Sequence, residues 1–207
     1  MEKPKTMQEL FELFTNENDV KPFIHSPFIQ GNYVIATDGE VLIRCKKNKY
    51  QGDYSSDEAP NITEILPESN LNKPIDYNLQ DFTSLFDTDE QIRIDCKECD
   101  GFGDVDWQYK HYEQRFECPV CEGRGGRDVK TGAKVFSRKY GVKLNGEYFK
   151  IDNIYKLIQV AEYTEKPIIL TSIEKHKHLF QVGDFDVLIL PTLVDSDYFN
   201  KIINLNL

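Results

Sequence analysis

No apolar run in the 207 residues approaches the roughly 18 to 20 residues that a bilayer-crossing helix needs, so a helical membrane span is not expected. The stretch from Met1 to Leu10 lacks the apolar core of a secretory leader, and a cytoplasmic setting is the expectation. A nucleophile elbow, a phosphate-cradling glycine loop and an H-E-x-x-H signature are all missing, as is any closely repeated unit of fixed period. With no catalytic motif in view, the chain reads as non-enzymatic. Cysteine is scarce at five residues, and four of the five fall into two close pairs. In a reducing compartment such pairs point to metal or redox chemistry rather than structural disulfides. The fifth, Cys45, lies in an apolar strand-like stretch with nothing nearby to lower its pKa, and reads as a small buried hydrophobe. What is present, 40% apolar and 12% aromatic residues, suits a globular chain with one core plus an insertion, or two small domains.

The two pairs are Cys96/Cys99 in C-K-E-C-D-G-F-G and Cys118/Cys121 in C-P-V-C-E-G-R-G-G, with fourteen residues between the motifs. A C-x-x-C turn brings two sulfurs to one ion from the same side, and two turns complete a tetrahedral four-thiolate site. Gly101 and Gly123 are expected to take a positive φ and let backbone N–H groups face the thiolates. The expected cofactor is one Zn2+ per chain on Cys96, Cys99, Cys118 and Cys121. A redox dithiol pair and an iron–sulfur cluster are the alternatives. Four thiolates leave no open position for a catalytic water, and His111 reads as a surface residue rather than a ligand.

Net charge is −10, but it is unevenly spread. Residues 52–90 hold ten acids and one lysine, whereas residues 123–143 hold seven Lys/Arg against Asp128. Local charge decides what a surface meets. Arg124, Arg127, Lys130, Lys134 and Arg138, with Trp107 and Tyr109, are therefore candidates for nucleic-acid contact, the cations on phosphates and the rings on bases. The other reading is that the basic run only solubilises and the aromatics only pack a small arm whose own core is too thin to fold without metal. The competing class is a protein–protein interaction or chaperone-like peptide-binding module in which the zinc is purely structural.

Thr6 and Glu9 form a capping box for a helix of about ten residues ending near 16–18. Tyr33–Cys45 reads as two strands meeting at a two-residue Asp38-Gly39 turn, buried on both faces in part. Residues 46–74 read as loop with an apolar patch at Ile62–Leu66. A short helix with Leu79, Phe82, Leu85 and Phe86 on one face follows, capped by Asp76 or Asn78. Gln91–Asp95 and Ala133–Ser137 would make a two-stranded stem carrying the cysteines, with a hairpin between Trp107/Tyr109 and Tyr112/Phe116. Val142–Tyr148 reads as a strand, the segment after Asp152 as a helix, and Pro167–Ile173, His178–Val182 and Phe185–Leu190 as strands. His176 and His178 lie on one side of an extended segment, where a weak metal pair is the alternative to the expected solvated strand end, and Asp195 and Asp197 form no recognisable acid–base pair.

The cysteine segment, Cys96–Gly125, resembles the cysteine-rich region of DnaJ-type chaperones. Those carry four repeats and two zinc ions, whereas two repeats here fill one site, and the His-Pro-Asp signature of their J-domain is absent. The resemblance therefore implies the metal fold alone. Tyr33–Arg44 with its central A-T-D-G, Tyr148–Ile158 and Phe185–Thr192 are similar to segments of bacterial β sliding clamps. That resemblance implies an α+β fold with a single DNA-clamp-like domain of two α/β halves and an inserted zinc-binding β-hairpin arm. The implied division is 1–90 for the first half and acidic loop, 91–137 for the four-cysteine arm, and 138–207 for the β-α-β-β-β second half. It implies an accessory role in DNA metabolism.

Overall fold

A computed structural model describes residues 3–55, 59–62, 65–194 and 196–206. Asp195, and Thr63 and Glu64 of the apolar patch, lie outside the described residues. In chain order the elements are α1 (Met7–Glu12), β1 (Phe28–Gln30), β2 (Tyr33–Thr37), β3 (Val41–Lys46), β4 (Lys73–Ile75) and α2 (Leu79–Thr83). Then come β5 (Phe86–Asp95), β6 (Asp104–Tyr109), β7 (Tyr112–Glu117), β8 (Gly126–Phe136), β9 (Tyr140–Leu144) and β10 (Glu147–Lys150). The last are α3 (Ile151–Thr164), β11 (Ile168–Glu174), β12 (Lys177–Val182), β13 (Phe185–Ile189) and β14 (Lys201–Leu205). The architecture is α+β, in two compact units: 1–85 with 136–207, and 86–135.

In the larger unit seven strands form one sheet in the order β1-β2-β3-β13-β12-β11-β4, and three form another in the order β10-β9-β14. α1 starts as its capping box requires, with Thr6 Oγ1 accepting from the Glu9 N–H at 3.1 Å. It stops at Glu12, earlier than the apolar spacing suggests, yet Phe14 is fully buried from the turn that follows. The hairpin turn is one residue later than expected. The Asp38 N–H bonds to the Val41 carbonyl, and the Asp38 carboxylate accepts from the Glu40 and Val41 N–H groups, leaving Gly39 and Glu40 at the tip. Gly39 has φ +94°, which suits glycine at the first central position of such a turn.

Four strands, β4, β9, β10 and β14, differ from the sequence expectation. Residues 142–148 split into β9 and β10 around Asn145-Gly146, both at positive φ. β14 runs parallel to β9, and β4 is an edge strand on β11. Pro74 is tolerated in β4 because an edge strand need not donate on both sides.

α3 explains why both sheets hold together. Ile154, Leu157, Ile158 and Ala161 follow the i, i+3, i+4, i+7 spacing, and Tyr155, Gln159 and Val160 are buried as well. A helix buried on so many sides is a core element rather than a surface one. It touches β9 and β10 of the smaller sheet and β11, β12 and β13 of the larger. It ends at Glu165 in the left-handed region (φ +54°).

The smaller unit has two two-stranded ribbons, β5 with β8 and β6 with β7. The stem strands are longer than the sequence pattern suggests. The inner ribbon pairs in strict antiparallel register, with Val105 opposite Phe116, Trp107 opposite Gln114 and Tyr109 opposite Tyr112. Lys110, at φ +56°, helps close its tip.

Candidate metal centre

The two cysteine motifs fold as two alike knuckles with matching hydrogen bonds. Gly101 and Gly123 take φ of +86° and +74°, as expected. The N–H groups that reach sulfur belong to the next glycines, however: Gly103 donates to Cys99 Sγ and Gly125 to Cys121 Sγ, each at 3.2 Å. These same glycines join the knuckles. Cys118 N–H donates to the Gly103 carbonyl and Cys96 N–H to the Gly125 carbonyl, each at 2.7 Å. A Cβ on Gly103 would strike the Gly123 carbonyl, and one on Gly125 the Gly101 carbonyl, well inside van der Waals contact. Glycine is required at both by space as well as by φ.

The four sulfurs converge. Cys96 Sγ lies 3.9 Å from Cys118 Sγ, Cys99 Sγ lies 3.7 Å from Cys121 Sγ, and all four atoms fall within 4.8 Å of one another. A disulfide would bring a pair to about 2.05 Å. A tetrahedron of sulfurs each about 2.3 Å from one ion has edges of about 3.8 Å, between the two measured separations. The site therefore fits a single ion. Cys99, Cys118 and Cys121 are buried, Cys96 is partly so, and Val105 packs against the group.

The sulfurs are not electrostatically equal. Backbone N–H groups of Cys121 and Val120 bring the Cys118 thiol down to about 7, whereas burial pushes Cys99 up to about 11. A bound divalent ion would hold all four as thiolates and displace the remaining protons. Cys45 is buried, with its thiol pushed up to about 12 by that burial, in keeping with a packing role.

No family model matches the sequence, and no curated protein matches it. Among solved structures, the chain is similar to a DNA polymerase sliding clamp from Pseudomonas aeruginosa, with 12% identity over 91% of this chain and 66% of that one, at a TM-score of 0.43. The DNA polymerase III subunit beta from the same organism gives 11% over 91% and 65%, at 0.44. The Helicobacter pylori beta clamp bound to DNA ligase peptide gives 10% over 89% and 61%, at 0.42. This chain thus spans less than two thirds of those clamps. TM-scores below 0.5 do not establish a shared fold, and the α+β architecture stands on its own strands and helices.

Three of the other candidate cations, Lys130, Lys134 and Arg124, are held by carboxylates. Lys130 and Lys134 both bond to Asp89, and together they pull its carboxyl down to about 2. Arg124 is held by Glu122 Oε2 at 3.0 Å and by the Cys121 carbonyl at 3.0 Å. Trp107 and Tyr109 stack on one another, centroids 5.8 Å apart and planes at 20°. Arg127 makes no ion pair with a described carboxylate, and Arg138 belongs to the larger unit. His111 is exposed and leans on Tyr112.

His178 corrects an expectation. It is not a solvated strand end but fully buried, between the rings of Phe149 and Phe180. Its Nδ1 lies 3.4 Å from Glu147 Oε2, neither ring nitrogen makes a hydrogen bond, and burial lowers its pKa. His176 stays exposed and meets Glu147 Oε1 at 2.7 Å. The signal was present: His178, Phe180 and Val182 alternate along one face of β12, and the latter two are plain core residues. No helix among the described residues is long and apolar enough to cross a membrane.

Proposed function

We propose that this chain is a non-enzymatic zinc-binding protein that works by surface contact, as an accessory binding module associated with nucleic acid. The observation that carries it is the sulfur cage: four sulfurs within 4.8 Å of one another fill every position of a tetrahedral ion and leave none for a substrate. Thiolate donors in that geometry suit zinc. In this reading the two C-x-x-C-x-G-x-G knuckles do the structural work of the DnaJ-type region they resemble, and the ion folds an arm too small to fold alone. The place in DNA metabolism is supported by the clamp-like sequence stretches around Ala36–Gly39 and Phe185–Thr192.

Of the cations in 123–143, Arg127, Arg138, Lys139 and Lys143 make no ion pair with a described carboxylate and are available to phosphate. Lys139 lies 3.7 Å from the centroid of the Tyr198 ring, and Lys143 lies 5.5 Å from that of Tyr148. Neither is in an ion pair with a described carboxylate. Elemental analysis is expected to find one zinc per chain, lost in Cys99→Ser. A mobility shift with duplex DNA is expected at low salt. Each phosphate contact contributes about −0.9 to the log–log salt slope, so the Lys139→Gln/Lys143→Gln double variant should flatten it by about two units. No shift at low salt sinks the nucleic-acid part and leaves the zinc module.

A second reading, a protein-interaction module with a purely structural zinc, is favoured by the charge of the arm. Residues 86–135 carry twelve acids against eight Lys/Arg, a net −4.

A further inference from the structure

His178 and Glu147 meet as two buried polar groups that no described residue hydrogen-bonds. His178 is fully buried on β12, and neither of its ring nitrogens makes a hydrogen bond. Glu147 Oε2, at the start of β10, is buried and unbonded as well. Packing alone calls for an apolar side chain at 178, as Phe180 and Val182 are along the same face of the strand. An imidazole there gives up water and gains no hydrogen bond in return. Adjoining buried groups left unpaired in a folded protein point to a component between them, a water or an ion.

Their separation tells the two apart. His178 Nδ1 lies 3.4 Å from Glu147 Oε2. A direct N–H···O bond would bring the atoms to about 2.7–3.2 Å. A water bonded to both at about 2.8 Å, with a near-tetrahedral angle, would hold them about 4.5 Å apart. Nitrogen and oxygen ligands each about 2.0–2.1 Å from a tetrahedral ion stand about 3.4 Å apart. The observed spacing is that of two ligands on one ion.

His176 supplies a third donor. Its Nδ1 lies 2.7 Å from the other carboxylate oxygen, Glu147 Oε1, which is hydrogen-bond rather than ligand spacing. The side chain is 69% exposed, so it has room to turn. Its backbone is fixed: Lys175 and His176, at φ +47° and +64°, are the two tip residues between paired Glu174 and Lys177. Glu147 follows directly on the Asn145-Gly146 turn. Two tight turns on packed strands thus hold the three ligands. Glu147 and His176 also line a solvent-open cavity with Tyr148, Thr192 and Asp197, which gives an ion a path to the carboxylate. Among the described residues only the cysteines already bring three or more ligand atoms within 4.8 Å of one another. Here two stand at ligand spacing and the third completes the set by rotating.

We infer that His178, Glu147 and His176 form a second metal site, for a divalent transition-metal ion such as Zn2+, which closes when His176 swings from Glu147 Oε1 onto the ion. Imidazole with carboxylate suits zinc, nickel or copper, whereas magnesium and calcium take oxygen ligands. Three protein ligands leave the fourth position to solvent. The inference goes beyond the zinc-module reading and does not depend on it, since the cysteines belong to the other compact unit.

The full chain, its cysteines first filled with zinc, is titrated with further Zn2+ by calorimetry. A parallel titration with Co2+ reads visible absorption, where nitrogen and oxygen ligation lacks the sulfur charge-transfer band. One additional equivalent without sulfur character is expected. Glu147→Gln and His178→Phe should abolish it. His176→Ala should weaken it about tenfold or more, since even losing a hydrogen bond that supports a ligand costs about 10- to 100-fold. Cys99→Ser should remove the thiolate-bound equivalent and leave this one, so the two sites fail separately. Absence of any equivalent beyond the thiolate-bound one overturns the inference. An extra equivalent that Cys99→Ser removes belongs to the sulfurs and also overturns it. Unchanged affinity in both Glu147→Gln and His176→Ala places the ion elsewhere and refutes the site. Those two variants alter side chains that reach solvent, so they decide the question even if His178→Phe does not fold.

Discussion

Gly125→Ala isolates the interlock between the knuckles. Gly125 sits at φ +71°, and a Cβ there would run into the Gly101 carbonyl. Forcing an L-residue into the left-handed region costs about 1–2 kcal/mol. Pushing the knuckles apart also weakens the Gly125 N–H···Cys121 Sγ bond and the Cys96 N–H bond to the Gly125 carbonyl, at about 1 kcal/mol each. The sum, about 3–4 kcal/mol, falls on the folded and metal-loaded arm. With 1.4 kcal/mol per decade, metal affinity should drop about 140- to 700-fold. Binding itself survives, because structural four-ligand zinc sites are worth about 10–16 kcal/mol. The control is Gly132→Ala in the same unit. Gly132 has φ +87° but nothing within 4 Å of its Cβ position, so it bears the backbone strain without the collision. Both variants are titrated against a competing chromophoric chelator, with cobalt absorption reporting the tetrahedral thiolate geometry. Equal affinities for the two variants, or a Gly125→Ala affinity within threefold of the parent, would refute the interlock argument.

Two other perturbations test the larger unit. His178 is held below its ordinary pKa by burial, so the unfolded chain takes up a proton near pH 6.5 that the folded chain refuses. Stability is present in full above the unfolded pKa and is lost as pH falls through the folded one. His178→Phe should therefore flatten the acid side of the stability–pH curve, and an unchanged slope below pH 6.5 in denaturant titrations would show that His178 is not its source. Ile158→Ala, at a fully buried site in α3, should cost about 2–5 kcal/mol in the same titrations; a loss under about 1 kcal/mol would contradict its burial.

The cysteine site was legible because its chemistry is local: two sulfurs per turn and the glycines that follow them. So were Thr6 as a cap, α3 from its spacing, and the β12 and β13 strands. What could not be read depends on distant pairing. β4 is three residues, Lys-Pro-Ile, with little strand character of its own, and exists because β11 offers it an edge. β14 is held parallel to β9 across more than fifty residues. Lys130 and Lys134 look like free cations in the sequence, and only the pairing of β5 with β8 sets Asp89, some forty residues earlier, beside both. The split at Asn145-Gly146 is different: Asn-Gly is itself a turn signal, but it lies inside a strand-like apolar run.

The reciprocal bonds between the knuckles bear on how fast the ion exchanges. Cys96 is tied to Gly125 and Cys118 to Gly103, so opening either sulfur pair means breaking a backbone bond to the other knuckle. At about 1 kcal/mol per bond, these ties would raise the barrier to losing a bound ion, and it would leave more slowly than from two independent knuckles.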